Sequence, residues 1–196
     1  MAQYEELTVG KLVLTGNSGT DANAGTLEAV SGLSVVHKQL GPLVQSTFTL
    51  TDVAQAVVDG TEYQSTKLFT FPEGRILVLG TTASLAQKTT SAIATTLNSG
   101  VTGALGIGTA AASATTLATT MVDLLPSTAF TTSTTINVAA TAVGAALAAS
   151  AHFDGTTTAK PVYLNSAYAT TTDVDADATQ TWTGTITITW LFLGDY

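Results

Sequence analysis

Residues 182–192 read Trp-Thr-Gly-Thr-Ile-Thr-Ile-Thr-Trp-Leu-Phe, and residue type alternates with position along this stretch. Because strand side chains point alternately to two faces, the apolar residues fall on one face and the threonines on the other. The stretch therefore predicts a half-buried β-strand. Aromatic side chains bury the largest area per residue, so two tryptophans here predict anchoring in the core or against a neighbouring subunit. The predicted apolar face comprises Trp182, Ile186, Ile188, Trp190 and Phe192.

The composition favours one domain built from strands. A length of 196 residues is ordinary for a single all-β domain. Only 10% of the residues are charged, whereas about a quarter is usual. Threonine and alanine dominate instead, and threonine is a good strand former. A surface polar through threonine and serine is typical of extracellular and virion proteins.

Charge and cysteine content exclude several function classes. Six basic residues against fourteen acidic ones give a net charge of -8, which repels phosphate backbones and predicts no nucleic-acid partner. The absence of cysteine excludes disulfides, thiolate metal sites and cysteine nucleophiles. Residues 1–10 lack the pattern of a signal peptide. The longest mildly apolar stretch, Thr141–Ala151, is far short of the roughly 20 residues of a membrane span. We expect a soluble protein without an N-terminal export signal.

Short alternating or apolar runs predict further strands. The run Ile76–Leu79 is too short for a helix and predicts a central strand buried on both faces. Residues Thr51–Val58 fit either a short capped helix or a strand ending at Asp59-Gly60, and we favour the strand. Pro72-Glu73-Gly74 predicts a tight turn. The remaining predicted strands are Leu33–Lys38, Thr47–Thr51, Lys67–Phe71 and Val162–Asn165.

These elements predict an all-β fold. We expect a β-sandwich or jelly-roll-like single domain over residues 22–196, preceded by an N-terminal arm or first strand over residues 1–21. At most one or two short helices are expected. The alanine content of Val138–Ala151 allows one of them, although Gly144 weakens it. Residues Thr170–Thr181 read as an acidic loop before the terminal strand.

Two motifs could carry ligand chemistry, but each fits a structural role better. The glycines of Gly103–Gly108 suggest a phosphate-binding loop, yet the required lysine is missing, so we predict a strand or turn. Asp173, Asp175 and Asp177 alternate as at the start of a calcium loop. The sixth and twelfth positions, Ala178 and Gly184, do not match the EF-hand pattern. An acidic solvated loop is favoured, and cation binding there stays open.

No catalytic constellation stands out. His37 and His152 lack metal-ligand spacing. His152 and Asp154 could orient a base for a serine, but no Gly-x-Ser-x-Gly elbow accompanies them, so turn chemistry is favoured. Trp182 or Trp190 could line a sugar site, although a core position is the stronger interpretation. We predict no enzyme activity and no cofactor or metal.

Three segments taken together resemble a group of tailed-bacteriophage virion proteins, generally assigned to the head as decoration or cement proteins. They cover roughly the last two-thirds of the chain, and Asp123–Ser127 also fits. The segments are Phe71–Gly80, Phe153–Thr156 with Val162–Asn165, and Gly184–Tyr196.

The resemblance implies a non-enzymatic protein that binds the assembled head shell and stabilises it. Its partner would be the major capsid protein of the same phage, its location the capsid surface after synthesis in the host cytoplasm, and its oligomeric state a homotrimer. The N-terminal arm, with Glu5, Glu6 and Lys11, would meet the shell, while threonine-rich faces pack between subunits. The structural or interface candidates are Phe71, Pro72, Gly74, Trp182, Trp190, Phe192 and Tyr196.

Two other functions remain open. A tail-tube or head-to-tail completion protein would assemble into rings or tubes. A carbohydrate-binding β-sandwich of a fibre or receptor-binding protein would use tryptophan or tyrosine as a stacking platform.

Overall fold

A computed structural model describes residues 14–15, 24–89, 101–132, 140–143, 152–169, 174 and 176–196. In these ranges the chain forms twelve strands and a single turn of 3-10 helix at Thr119–Met121. The strands are β1 Leu14–Thr15, β2 Thr26–Leu27, β3 Leu33–Leu40, β4 Leu43–Val57, β5 Tyr63–Thr70, β6 Arg75–Thr89, β7 Thr102–Gly108, β8 Leu125–Thr131, β9 Ala140–Val143, β10 His152–Asp154, β11 Pro161–Tyr168 and β12 Ala178–Gly194.

The strands form two antiparallel sheets that share one hydrophobic core. The seven-stranded sheet has the order β1-β3-β4-β12-β6-β10, with β9 also paired to β6, and the five-stranded sheet has the order β2-β5-β11-β7-β8. Rings from the two sheets meet between them, for example Phe48 against Phe69 at 5.3 Å. The prediction of an all-β sandwich is confirmed. Of the predicted N-terminal arm, only β1 lies in the described ranges, where it pairs with β3.

The terminal strand β12 lies at the centre of the larger sheet, between β4 and β6. Its predicted alternation is confirmed, because its apolar residues from Trp182 to Trp190 point inward and its threonines outward. Trp182 and Trp190 are both 0% exposed. Trp190 meets Phe71 edge to face at 5.2 Å, and Trp182 meets Phe130 at the same separation. Both tryptophans therefore anchor β12 in the core.

A β-bulge explains why residues 51–58 were ambiguous in sequence. Val53 pairs with Trp182 but Leu50 pairs with Gly184, so β4 carries one residue more than β12 at this point. Asp52, with φ of 52°, lies in the bulge. The inward positions consequently change from even numbers to odd numbers after Leu50. Residues 43–57 form one continuous strand, and the strand prediction is confirmed.

The predicted central strand Ile76–Leu79 lies in β6, which has β12 on one edge and β9 and β10 on the other. Ile76 and Val78 are buried, whereas Leu77 and Leu79 are half-buried and face outward, so burial is complete on one face only. The predicted tight turn before it is a bend at Glu73 and Gly74, in a short connection from β5 of one sheet to β6 of the other. Gly74 there has φ of 124°, and a Cβ would lie 2.6 Å from the Phe192 ring.

The helix allowed over residues 138–151 is wrong for the four residues described, because Ala140–Val143 pairs with β6 as a strand. The sheet edge there supplies hydrogen-bond partners that override alanine's weak helical preference. The other residues of that stretch lie outside the described ranges. The predicted loop at 170–181 ends earlier than expected, since β12 begins at Ala178.

Candidate interaction surface

A network of polar side chains is buried between the two sheets. Gln55 Oε1 accepts hydrogen bonds from Gln180 Nε2 at 2.7 Å, Ser166 Oγ at 2.8 Å and Trp182 Nε1 at 2.9 Å. Gln180 Oε1 accepts one from the Tyr168 hydroxyl at 2.6 Å. Burial raises the pKa of the Tyr168 phenol. The side chains satisfy one another out of reach of solvent, so the network orders the core and offers no binding site.

The two histidines also have structural surroundings. His37 Nδ1 lies 2.8 Å from Ser46 Oγ, which resembles a base beside a nucleophile. Ser46 is 0% exposed and accepts a hydrogen bond from Trp190 Nε1 at 3.0 Å, so no substrate reaches its hydroxyl. His152 lies on β10, and the segment that follows this strand has the structural role predicted for it. Asp154 accepts two hydrogen bonds from Thr156, which lower the pKa of the carboxyl.

The glycines of Gly103–Gly108 lie in strand β7, so the structural interpretation of this motif is confirmed. Residues 109–124 form a loop that crosses the solvent-facing side of the five-stranded sheet beside these glycines. A Cβ on Gly108 would lie 2.3 Å from the backbone of Met121, and one on Gly106 would lie 2.4 Å from Val122. The glycines therefore allow the loop to approach the strand closely.

The side chain of Asn165, on β11, holds this loop against the sheet. The side chain is 0% exposed, and its Nδ2 donates to the carbonyls of Ala110 and Met121 at 2.9 and 2.8 Å. Its Oδ1 accepts from Ser65 Oγ at 2.7 Å and from the amide of Ala112 at 3.0 Å. One amide side chain thus joins both ends of the loop to the sheet.

Asp123 closes the loop. Its carboxylate accepts hydrogen bonds from the amide and hydroxyl of Thr109 at 2.8 and 2.6 Å. Burial raises the pKa of this carboxyl, against the opposing effect of the Thr109 hydrogen bonds and Lys160. Asp123 pins the loop and has no partner arrangement typical of acid-base catalysis in the described chain.

A cleft of about 360 Å³ lies beside the loop. It is lined by small and hydroxyl-bearing residues from β7, β8, β11 and the loop, and none of its lining residues is charged. The wall residues include Thr102, Ala104, Thr115, Leu117, Ser127 and Ala129. No pair of groups there could move a proton or hold a charged ligand.

The outward surface of the seven-stranded sheet is the most unusual feature of the molecule. We define the outer face as the outward residues of β3, β4, β12 and β6, which the strand register arranges in rows across the four strands. Two rows are built almost entirely of hydroxyl residues. Thr47 Oγ1 and Thr187 Oγ1 lie 3.4 Å apart within one of them. These rows are Ser34-Thr49-Thr185-Ser84 and Val36-Thr47-Thr187-Thr82.

A leucine row ends the outer face beside the β3–β4 hairpin. Leu40 pairs with Leu43, Leu43 with Leu191, and Leu191 with Leu77, so four adjacent strands each place a leucine at the same level. Leu40 is 79% exposed, and Leu193, two residues beyond the row, is 38% exposed. The next row, Lys38-Gln45-Thr189-Gly80, separates the leucine row from the hydroxyl rows.

The residues predicted as structural or interface candidates are mostly internal. Phe71, Pro72, Gly74, Trp182 and Trp190 are buried, with Phe71, Gly74, Trp190 and Phe192 gathered at one end of the core. Phe192 is half-buried, and Tyr196 is 89% exposed.

Sequence reasoning missed the leucine row. Its members come from positions far apart in the chain, and only the strand register brings them together.

Of the three carboxylates in the predicted acidic loop, Asp177 lies in the described ranges, and it accepts a hydrogen bond from the Asp59 amide at 2.9 Å. Asp173 and Asp175 lie outside the described ranges. In the part of the chain that the structure describes, no three His, Cys, Asp or Glu residues gather as metal ligands. No helix there is long and apolar enough to cross a membrane. No protein-family model, curated protein or solved structure matches the chain.

Proposed function

We propose that the chain is a structural, non-enzymatic protein of a tailed-phage head, a decoration protein that binds the assembled shell and stabilises it. The observation that supports this proposal is the outer face. Its four rows offer sixteen positions on four strands, and Lys38 is the one charged residue among these sixteen. Beyond the Ser34-Thr49-Thr185-Ser84 row the same face carries one ion pair, Lys88–Asp52, at 3.4 Å. Faces of antiparallel sheets that remain in water are usually polar and charged. A face of hydroxyls, methyls and leucines is suited to packing against protein.

Threonine also lowers the entropic cost of such packing. Ordering a long, rotamer-rich side chain at an interface costs about 0.5–1.5 kcal/mol, whereas threonine has few rotamers to lose. Its methyl group can be buried while its hydroxyl pairs with a neighbour, as Thr47 and Thr187 show within one molecule. A repeated contact of this kind suits a protein present in many copies.

The stabilising mechanism in this proposal is mass action. A protein that binds the assembled shell and not the free capsid subunit shifts the equilibrium toward the shell. No chemical step is required, in keeping with the satisfied networks around Gln55 and Asn165.

A sugar-binding function has less support. A stacking platform needs an accessible aromatic face. Trp182 and Trp190 are both 0% exposed, which leaves the single terminal ring of Tyr196, 89% exposed, as the large aromatic side chain that is open to solvent in the described ranges.

Immunogold electron microscopy of virus particles from the source culture tests the proposal. Gold on the head supports a decoration protein, gold on the tail supports a tail-tube or completion protein, and unlabelled particles contradict both.

Binding of purified protein to heads stripped of it then tests the outer face. Thr187→Arg puts a charge within a hydroxyl row, and Thr157→Arg puts the same charge on an exposed turn as a matched control. We expect only Thr187→Arg to weaken head binding or the assembly required for it. Equal binding by both variants would remove the outer face from the proposal.

A further inference from the structure

We infer that the leucine row is the contact between two copies of this chain, with the two rows packed face to face and running in opposite directions. The inference rests on the proposed function only in using the same outer face, and it names the occupant of that face.

The leucine row is an apolar patch and not a scatter of single residues. Its four leucines come from neighbouring strands, which lie about 4.8 Å apart, so the row is roughly 14 Å long. Leu193 extends it on β12, and Leu40 projects into solvent at the β3 edge. Isolated exposed leucines are ordinary on protein surfaces, whereas a contiguous patch with a polar border marks an interaction site.

A second copy fits this patch because the row is self-complementary. Leucine packs against leucine whichever way the rows run, so the same residues serve both partners of a two-fold contact. The outer face is also large enough. The strands β3, β4, β12 and β6 have 8, 15, 17 and 15 residues, and at about 3.4 Å per residue and about 4.8 Å between strands they give a face of roughly 900 Å². This matches the area that each partner buries in a standard stable interface.

Charge favours the opposed direction of the rows. Exposed Lys38 lies on β3, one row from Leu40. At the other end of the row, His152 pairs with Leu77, exposed Glu73 precedes β6 and Arg75 forms a 3.6 Å ion pair with Asp154, while exposed Asp195 follows the end of β12. Opposed rows place the basic end of one copy beside the acidic end of the other. Rows in the same direction would place like charges together, which disfavours that arrangement.

Light scattering after size exclusion gives the first test, using the full chain. We expect wild-type protein at twice the chain mass of 19.9 kDa. The double variant Leu40→Asp with Leu193→Asp should run at the single-chain mass. Ala114→Asp is the matched control, because Ala114 is an exposed apolar residue in the loop over the five-stranded sheet, on the other side of the molecule from the outer face, and should leave the dimer intact.

Cysteine cross-linking gives a second test that does not depend on destabilising the patch. The chain has no cysteine, so a variant with Leu40→Cys and Leu77→Cys introduces the only thiols. Within one copy these positions are three strand spacings apart, about 14 Å. Opposed rows bring Leu40 of one copy over Leu77 of the other. Because face-to-face sheets lie about 10 Å apart, which exceeds the reach of a disulfide, a short bis-maleimide reagent should yield covalent dimers, and Ala114→Cys should yield none.

A monomeric wild type, a trimer, or a dimer unchanged by the Leu40 and Leu193 substitutions would overturn the inference. A trimer would instead agree with the three-copy arrangement expected from the resemblance. These outcomes are distinct from failure of the proposed function, because a dimer held by the leucine row can form whether or not gold marks the phage head.

Discussion

Replacing Trp190 with alanine should remove a large part of the stability of the fold. The side chain is 0% exposed, meets Phe71 edge to face at 5.2 Å, and donates a hydrogen bond from Nε1 to Ser46 Oγ at 3.0 Å. Truncating a buried aromatic residue costs about 3–5 kcal/mol. The edge-to-face contact and the hydrogen bond are each worth about 1 kcal/mol. Because both are lost here, we expect a decrease of about 4–5 kcal/mol in the free energy of unfolding.

Urea unfolding at one fixed protein concentration measures this decrease, with Trp182 as the remaining fluorescent reporter. The concentration must be fixed because self-association raises apparent stability. Trp190→Phe keeps a ring against Phe71 and loses the hydrogen bond, so it should cost about 1–2 kcal/mol. Tyr196→Ala is the control, since Tyr196 is 89% exposed and its loss should change stability by less than about 0.5 kcal/mol. A cost below about 1 kcal/mol for Trp190→Ala would refute the reasoning.

Three further substitutions test the loop at residues 109–124. Asn165→Ala should cost about 2–3 kcal/mol, because it leaves two part-buried carbonyl groups of the loop without their partner; urea unfolding measures the cost, and a change near zero would contradict it. Gly108→Ala should speed proteolysis within the loop, because the added Cβ would lie 2.3 Å from the Met121 backbone; cleavage at the wild-type rate would count against this close approach. Asp123→Asn should change the pH dependence of stability. Burial raises the pKa of Asp123 above 3.8, so the folded chain holds its proton more tightly than the unfolded chain. Wild type should therefore lose stability relative to the variant as pH rises from 3.8 through the raised pKa, and parallel stability curves would contradict this.

The terminal strand could be predicted because its pattern is local. Residue type from Trp182 to Trp190 alternates with the period of a strand, and burial alternates with the same period along that whole stretch. The ambiguity at residues 51–58 also has a local cause, since the bulge at Asp52 shifts the inward positions from even to odd. A pattern search with a fixed period divides such a strand into two unrelated pieces.

The candidate surface could not be predicted in the same way. Leu40, Leu77 and Leu191 share a row only because β12 pairs with β4 on one side and with β6 on the other. The buried glutamine network has the same origin, because Gln55 and Gln180 are 125 positions apart and read separately as surface residues. Sequence patterns predict which face of a strand is apolar, whereas register determines which residues become neighbours.

The central position of β12 has a consequence for biosynthesis. Every other described strand leaves the ribosome before it, yet β4 and β6 each pair with β12 along most of their length. The edges of β4 and β6 that pair with β12 therefore stay without this partner until residues 178–194 emerge. Open strand edges invite aggregation, and long-range pairing is slow to form. A nascent chain stalled before residue 178 should therefore require chaperone protection, and this requirement should end once residues 178–194 have emerged and paired with β4 and β6.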